Sequence, residues 1–369
     1  MWRQQNDAFN TNAELRIFLD ARDSTEYGVL RTFARINWIR SSGGDDNSGS
    51  QPRRGQFFTG NSTGYGNLQN GFSGSEAFVQ LGGFLAGRTT SFASTGLSAT
   101  QFTTQNPSGG RVNQFAYTAS LGNGMSITAA VEDAAELRNA VHGATANAIP
   151  NNVPDAIASF DVSQSWGTVK IAGVVHNVAP AGRDTTASSK TGYALIGATK
   201  INLPMIGAGD NVQLFGAYGV GAAGRILGNT ATDTAVANYS YGVGRTNGGL
   251  YDGVQTATTL TLTKAYSYGA QFQHFFSPTV SAYVGGSYGK LDMPGSVQNT
   301  TTRRDIAVWG VGLGVIWSPV KGLEINPEVA YRKATSSFAD VASGNAAGEG
   351  SSLRNDDSMT YRLRVARSF

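Results

Sequence analysis

Alternation of apolar and polar residues, kept up from one end of this chain to the other, limits its folding more than any other feature. The final stretch, DSMTYRLRVARSF, places Met359, Tyr361, Leu363, Val365 and Phe369 on one parity and Ser358, Thr360, Arg362, Arg364 and Ser368 on the other. Successive side chains of a strand point to opposite faces, so this pattern describes a sheet with one apolar and one polar face. Chain ends are usually frayed and polar. Here the last residue is aromatic and belongs to the apolar parity, which suits a face that meets lipid.

The same period recurs upstream. AELRIFLDAR sets Ala13, Leu15, Ile17, Leu19 and Ala21 against Glu14, Arg16, Asp20 and Arg22. LRTFARINWI sets Leu30, Ala34, Ile36 and Trp38 against Arg31, Arg35 and Asn37. AVWGVGLGVIW sets Trp309, Val311, Leu313, Val315 and Trp317 against small residues, and GLEINPEVAYR sets Leu323, Ile325, Val329 and Tyr331 against Glu324, Asn326, Glu328 and Arg332. The pattern predicts about fifteen strands: 12–22, 28–40, 75–82, 84–90, 112–121, 124–133, 155–165, 168–177, 190–202, 211–222, 260–275, 279–290, 304–317, 321–333 and 357–369. Most have the length that a tilted membrane crossing requires.

Composition fits. No apolar run approaches the ~18 residues of a transmembrane helix, and only 40% of residues are hydrophobic. A closed barrel can still cross a membrane with such a chain, because only alternate residues touch lipid. There is no cysteine, so disulfides and thiolate metal sites are excluded, and a net charge of +3 gives no reason to expect a nucleic-acid partner. The start, MWRQQNDAFN, lacks the basic, apolar and small-residue segments of a signal peptide; either the protein is cytoplasmic or its export segment is absent from this chain.

Connections alternate in length. Tight ones fall at 82–83, 122–124, 166–167, 277–278 and 318–319; long ones, rich in Gly, Ser, Thr, Asn and Asp, cover about 41–73, 91–111, 134–154, 178–190, 223–258, 291–303 and 334–356. Short turns on one side and long loops on the other mark an outer-membrane barrel. Trp38, Tyr117, Trp309, Trp317, Tyr331 and Phe369 stand near strand ends on the apolar parity, as aromatic girdles at two lipid interfaces would.

Five stretches, in order, resemble the general porins of alphaproteobacteria, the rhizobial type: EAFVQLGGFLAGRTTSF (76–92), AYTASLGNGMSITAAVED (116–133), PDAIASFDVSQSWGTVKIAGVVHNV (154–178), INLPMIGAGDNVQLFGAYGVGA (201–222) and LTKAYSYGAQFQHFFSP (262–278). The resemblance implies one all-β domain over 1–369, an antiparallel transmembrane barrel of sixteen strands. It further implies residence in the bacterial outer membrane among lipid and lipopolysaccharide, a homotrimer, and a terminal Phe369 read by the barrel-assembly machinery. That family begins with a signal peptide, a segment with two cysteines and a first strand, none of which is recognisable here. Two features of the chain agree that a first strand is missing. Strand 12–22 runs toward a short turn, and the candidate pore-folding loop, about 91–111, follows the fourth strand where such porins have the fifth.

Chemistry is hard to find. His142, His176 and His274 are far apart in sequence, so no metal or cofactor is expected. GVGLG (310–314) lies inside a strand with no helix after it, and GLSA (96–99) lacks the setting of a nucleophile elbow. No catalytic residue can be nominated. What remains is a polar wall. Arg16, Arg35, Arg362 and Arg364 point inward near mid-strand, Arg22 and Arg31 lie nearer the periplasmic end, and Arg88 and Glu76 complete the expected pore lining. Charged rings of this kind set ion selectivity. The same arginines could instead satisfy the wall by pairing with Glu14, Asp20, Glu76 and Glu328. The candidate constriction loop, with Phe92, Leu97, Gln101 and Phe102, carries no charge over 91–110. It would narrow the pore without a transverse field, leaving a weak preference for anions.

The first expectation is therefore a passive diffusion pore for small hydrophilic solutes and ions. An adhesin or structural barrel of little conductance is the alternative, since a loop as long as 223–258 could bind a partner. A soluble all-β binding protein fits the aromatic placement and the terminal Phe poorly.

Overall fold

The computed structural model describes residues 11–42, 68–97, 110–133, 135, 137–142, 153–180, 185–227, 251–294, 303–338 and 354–369. In chain order its elements are β1 (Thr11–Thr25), β2 (Gly28–Ser42), β3 (Leu68–Leu81), β4 (Phe84–Thr90), β5 (Arg111–Gly122), β6 (Met125–Asp133), β7 (Ala140–His142), β8 (Asp155–Gln164) and β9 (Gly167–Val178). There follow β10 (Lys190–Asn202), β11 (Asn211–Val220), α1 (Ala223–Leu227), β12 (Tyr251–Gln255), β13 (Leu260–Leu262), β14 (Lys264–Ser277), β15 (Val280–Asp292), β16 (Arg303–Trp317), β17 (Leu323–Phe338) and β18 (Arg354–Arg367).

Fifteen of these strands form one antiparallel sheet in sequence order, β1 to β18, from which β7, β12 and β13 are left out to make a small sheet of their own. The tight turns, such as 26–27, 82–83, 123–124, 165–166 and 278–279, all lie at one end. Asn123 and Gly124, at φ 48° and 69°, make the mirror-image turn whose twist suits a two-residue hairpin. Any Cβ on Gly124 would meet the Ser163 carbonyl oxygen at 2.0 Å, so this position has both a conformational and a packing reason to be glycine. β1 and β18 both run toward the short-turn end and, among the described residues, are the two edges of the sheet.

Every expected strand is present, with shifted bounds. β3 begins at Leu68, seven residues before the expected start, because LQNGFSG shows no apolar alternation. Residues 260–262, expected to open the following strand, instead pair with β12 in the small sheet, and β14 starts at Lys264.

The two faces of the large sheet differ as the alternation requires. Phe115, Tyr117, Ile127, Val131, Ile171, Val175, Leu195, Val284, Val311, Leu313 and Leu363 share one parity and remain exposed. That is an apolar band with none of the described residues over it. Aromatic rings edge it at the long-loop end, where Tyr193 lies 6.3 Å from Tyr218, Tyr268 lies 5.5 Å from Tyr288, and Trp309 lies 5.4 Å from Tyr331. Trp317, Trp166, Phe276 and Phe369 edge it at the short-turn end and are exposed. Trp309 and Trp317 stand about 26 Å apart along their strand at ~3.3 Å per residue, comparable to the ~25 Å apolar band of a membrane barrel. No helix among the described residues is long and apolar enough to cross a membrane.

The opposite face is concave. Ala116, Ala130, Ile157, Val174, Ile196, Ala217, Ala265, Leu291 and Ile306, drawn from β5 round to β16, join α1 and Ala93 in a single buried cluster. Residues on so many consecutive strands can share one cluster only if the sheet curls toward that side. The cluster fills the inner side at the long-loop end, and both chain segments that cover it come from long connections.

Candidate functional site

Among the described residues, two segments pack against the inner cluster. The first is the opening of the expected constriction loop, 91–97, where Ala93 is fully buried and Phe92 packs against the cluster. Leu97 is half-buried at the end of that segment, and Gln101 and Phe102 lie outside the described residues. The second is α1, five residues with every side chain buried, which the alternation pattern did not reveal.

A buried ionic cluster ties both segments to the wall. Arg225, fully buried on α1, donates to Glu132 of β6 at 2.9 Å and to Asp155 of β8 at 2.8 Å. The same guanidinium donates to Ser91 Oγ at 2.9 Å. Glu132 also accepts from the Ser91 hydroxyl, at 2.9 Å, and from the Phe92 N–H, at 2.9 Å. The base of an uncharged loop is thus held by a charged group on the wall. Arg138 reaches Asp155 at 3.2 Å. Asp252 of β12 accepts the Ala223 and Asn139 N–H groups, both at 2.7 Å. His176 of β9 places Nδ1 2.8 Å from Asp155 and Nε2 3.6 Å from Asp252. An imidazolium there gives three cations against three carboxylates, the pairing that buried charges require.

Long connections also join one another. β12 pairs in parallel with β7 and antiparallel with β13, so the connections after β6 and after β11 share a sheet. Thr186, from the connection after β9, donates its N–H to the Ala257 carbonyl at 2.8 Å. Val141, Val178, Ala187 and Leu260 form the small core beneath.

The open part of the inner face lies elsewhere, against the strands nearest the two edges. It carries most of the expected arginines, each with a carboxylate. Arg16 meets Glu14 at 2.6 Å. Arg22 and Arg31 sit directly opposite each other in register, a costly like-charge pair that Asp20 offsets by accepting from both, at 2.8 and 2.9 Å. Arg35 lies 3.9 Å from Glu76 and donates to Asn37 at 3.2 Å. Arg362 lies 3.4 Å from Glu328 and Arg364 2.5 Å from Glu324. Arg111, which the alternation did not single out, reaches the same Glu76 at 2.6 Å. Among the described residues, six arginines of these strands, with Arg111 of β5, thus share five carboxylates.

Arg88 corrects the expectation. It stands in register with Ala77 and Asn113, on the face of Phe84 and Phe115, so it belongs to the outward parity and not to the inner wall. Phe369 closes the chain fully exposed, with the Arg367 guanidinium 5.7 Å above its ring. Among the described residues no group of His, Asp or Glu could hold a metal ion.

A family model described as "Porin subfamily" matches residues 2–361. No curated protein matches the chain. Among solved structures it resembles the outer membrane channel DcaP of Acinetobacter baumannii, 13% identical over 96% of this chain and 95% of that one, with a TM-score of 0.56. At that identity the likeness shows the fold. An anion-selective porin from Comamonas acidovorans, 9% identical over 98% and 100% of the two chains, superposes with a TM-score of 0.47, too loosely to carry an argument.

Proposed function

The chain belongs to the porin subfamily, an outer-membrane porin and not an enzyme, and on that premise we propose how its pore works. Water and small hydrophilic solutes diffuse passively along the arginine wall of β1–β3, β17 and β18, past the segment 91–97 and α1, which fill the other side. The observation that carries this reading is the split of the inner face. From β5 round to β16 it is covered at the long-loop end, while Arg16 and Arg22 keep 45% and 61% of their side-chain surface exposed. In the ion pairs of the described residues, six arginines against five carboxylates make that wall weakly anion-preferring. Liposome swelling tests the diffusion. Rates should fall steadily with solute size and rise linearly with concentration; saturation with a neutral sugar contradicts it.

Closure supports a sixteenth strand. β1 and β18 run the same way, so direct pairing would make one parallel seam in an antiparallel sheet. One strand of opposite direction pairs antiparallel with both and leaves no backbone group open to lipid. The assembled form is a homotrimer in lipid and lipopolysaccharide, and exposed Phe369, at the end of the last strand, is the contact for the barrel-assembly machinery. Among the described residues, the small sheet of joined loops favours the adhesin or structural reading, and it needs no change in the pore.

A further inference from the structure

One residue breaks the polarity of the arginine wall. On β1, Glu14, Arg16, Asp20 and Arg22 share the inner parity with Phe18, a residue that is 57% exposed. Phe18 begins a row across three strands. Its centroid is 6.4 Å from that of Phe33 on β2, and Phe33 stacks on Phe78 of β3 at 5.1 Å and 24°. Arg31 covers Phe33 and Phe78, with its guanidinium carbon 5.1 and 5.3 Å from the two centroids, and Arg35 stands 5.6 Å from Phe18. Cross-strand aromatic pairs stabilise a sheet, but that purpose does not require an open ring on the face that meets water. A strand added beside β1 would flank Phe18 and leave its inward side free.

We propose that this row is a subsite for small aromatic carboxylates, at which a planar anion stacks on Phe18 and places its carboxylate on Arg16. Arg16 sits at i−2 on the same face, about 6.6 Å along the strand from Phe18, while i+2 is Asp20, whose carboxylate is taken up by Arg22 and Arg31. A ring-borne carboxylate stacked on Phe18 lies within reach of the Arg16 guanidinium, whose side chain keeps 45% of its surface exposed. The wall then does more than choose anions over cations: it retains those with an aromatic body. The inference rests on the pore reading in one respect, that the inner face is wet.

Benzoate, cyclohexanecarboxylate and acetate are the probes, used on protein isolated from outer membranes and on its Phe18→Leu, Phe18→Tyr and Phe33→Leu variants. Saturation-transfer NMR reads binding directly, and single-channel recording in KCl reads conduction. Benzoate should bind more tightly than cyclohexanecarboxylate, and acetate should show no ring-dependent binding. Phe18→Leu should weaken benzoate about threefold to tenfold, the range of a lost ring–ring contact, while Phe18→Tyr preserves it. Phe33→Leu should weaken it less, since that ring lies under Arg31. Benzoate should also lower the KCl current in the parent protein at concentrations where acetate does not. Equal binding of benzoate and cyclohexanecarboxylate, unchanged by Phe18→Leu, overturns the subsite. Channel steps absent in KCl overturn the pore reading, and the NMR comparison then still decides the subsite.

Discussion

Arg225 Nη1 lies 2.9 Å from Glu132 Oε2, and neither side chain is reached by solvent. This contact joins the connection after β11 to the wall at β6, beside the base of the inward segment 91–97. Breaking a buried pair by removing one partner typically costs about 3–5 kcal/mol, because the other charge is left uncompensated. Arg225→Gln should lower stability to urea by that order. It should also raise single-channel conductance, since α1 and the 91–97 segment lose their common anchor. Adding Glu132→Gln should recover part of the stability and none of the narrowing. A double variant no more stable than the single one would show that the two residues do not act as a pair.

The outward face should reject charge where the inner face accepts it. Leu313 is 55% exposed in the apolar band, midway between Trp309 and Trp317. Leu313→Arg should cost about 2–4 kcal/mol in folding into bilayers. Ser120 is exposed on the inner parity of β5, near the short-turn end, and Ser120→Arg should change conductance with little effect on folding. Folding free energies from urea titration in vesicles measure both. Equal costs would mean that the parity is misassigned.

Ion preference follows from the wall. Replacing Arg16, Arg35, Arg362 and Arg364 by Gln removes four cations and leaves Glu14, Glu76, Glu324 and Glu328 with fewer partners. The reversal potential in a KCl gradient should move toward cation preference. Glu14→Gln alone should move it the other way. A reversal potential indifferent to all of these changes would place the ion path away from this wall.

The turn between β10 and β11 carries a pH signature. Asp210, at its end, accepts from the Phe275 N–H at 2.8 Å and lies 2.6 Å from His274 Nδ1. Burial pushes this carboxyl up, but the Phe275 N–H and His274 together hold it below the usual range for an aspartate. A depressed pKa in the folded state adds stability that is fully present above the unfolded value, about 3.9, and is lost as pH falls through the folded value. From pH ~5 downward, urea midpoints can be compared for the parent and Asp210→Asn. The parent's advantage should hold to about pH 4 and shrink below it. An advantage independent of pH over that range would assign the role of Asp210 to shape alone.

Much of this was legible in the sequence, and the exceptions have physical causes. Period-2 alternation found the fifteen sheet strands because each has one face against lipid, as Trp309 to Trp317 does. It also fixes Arg88, since Phe84 points outward and a residue four positions on shares its face; the misplacement came from reading charge as a sign of the lumen. Alternation could not find α1, which is a single short turn of helix inside a long connection. Nor could it assemble the ionic cluster. Arg225 is 93 residues from Glu132 and 70 from Asp155, and only the curl of the sheet brings them together. The pairing of the wall arginines with Glu14, Asp20, Glu76 and Glu328 was readable, because those partners are neighbours on one strand or across adjacent ones.

The central claim is that this chain encloses a water-filled path along its arginine wall. Single-channel recording tests it most directly, with protein isolated from outer membranes and inserted in a planar bilayer in KCl. The account predicts stable, ohmic current steps of uniform size, larger in Arg225→Gln and more cation-preferring when the four wall arginines are replaced. Heat-resistant, correctly inserted protein that gives no steps would contradict it.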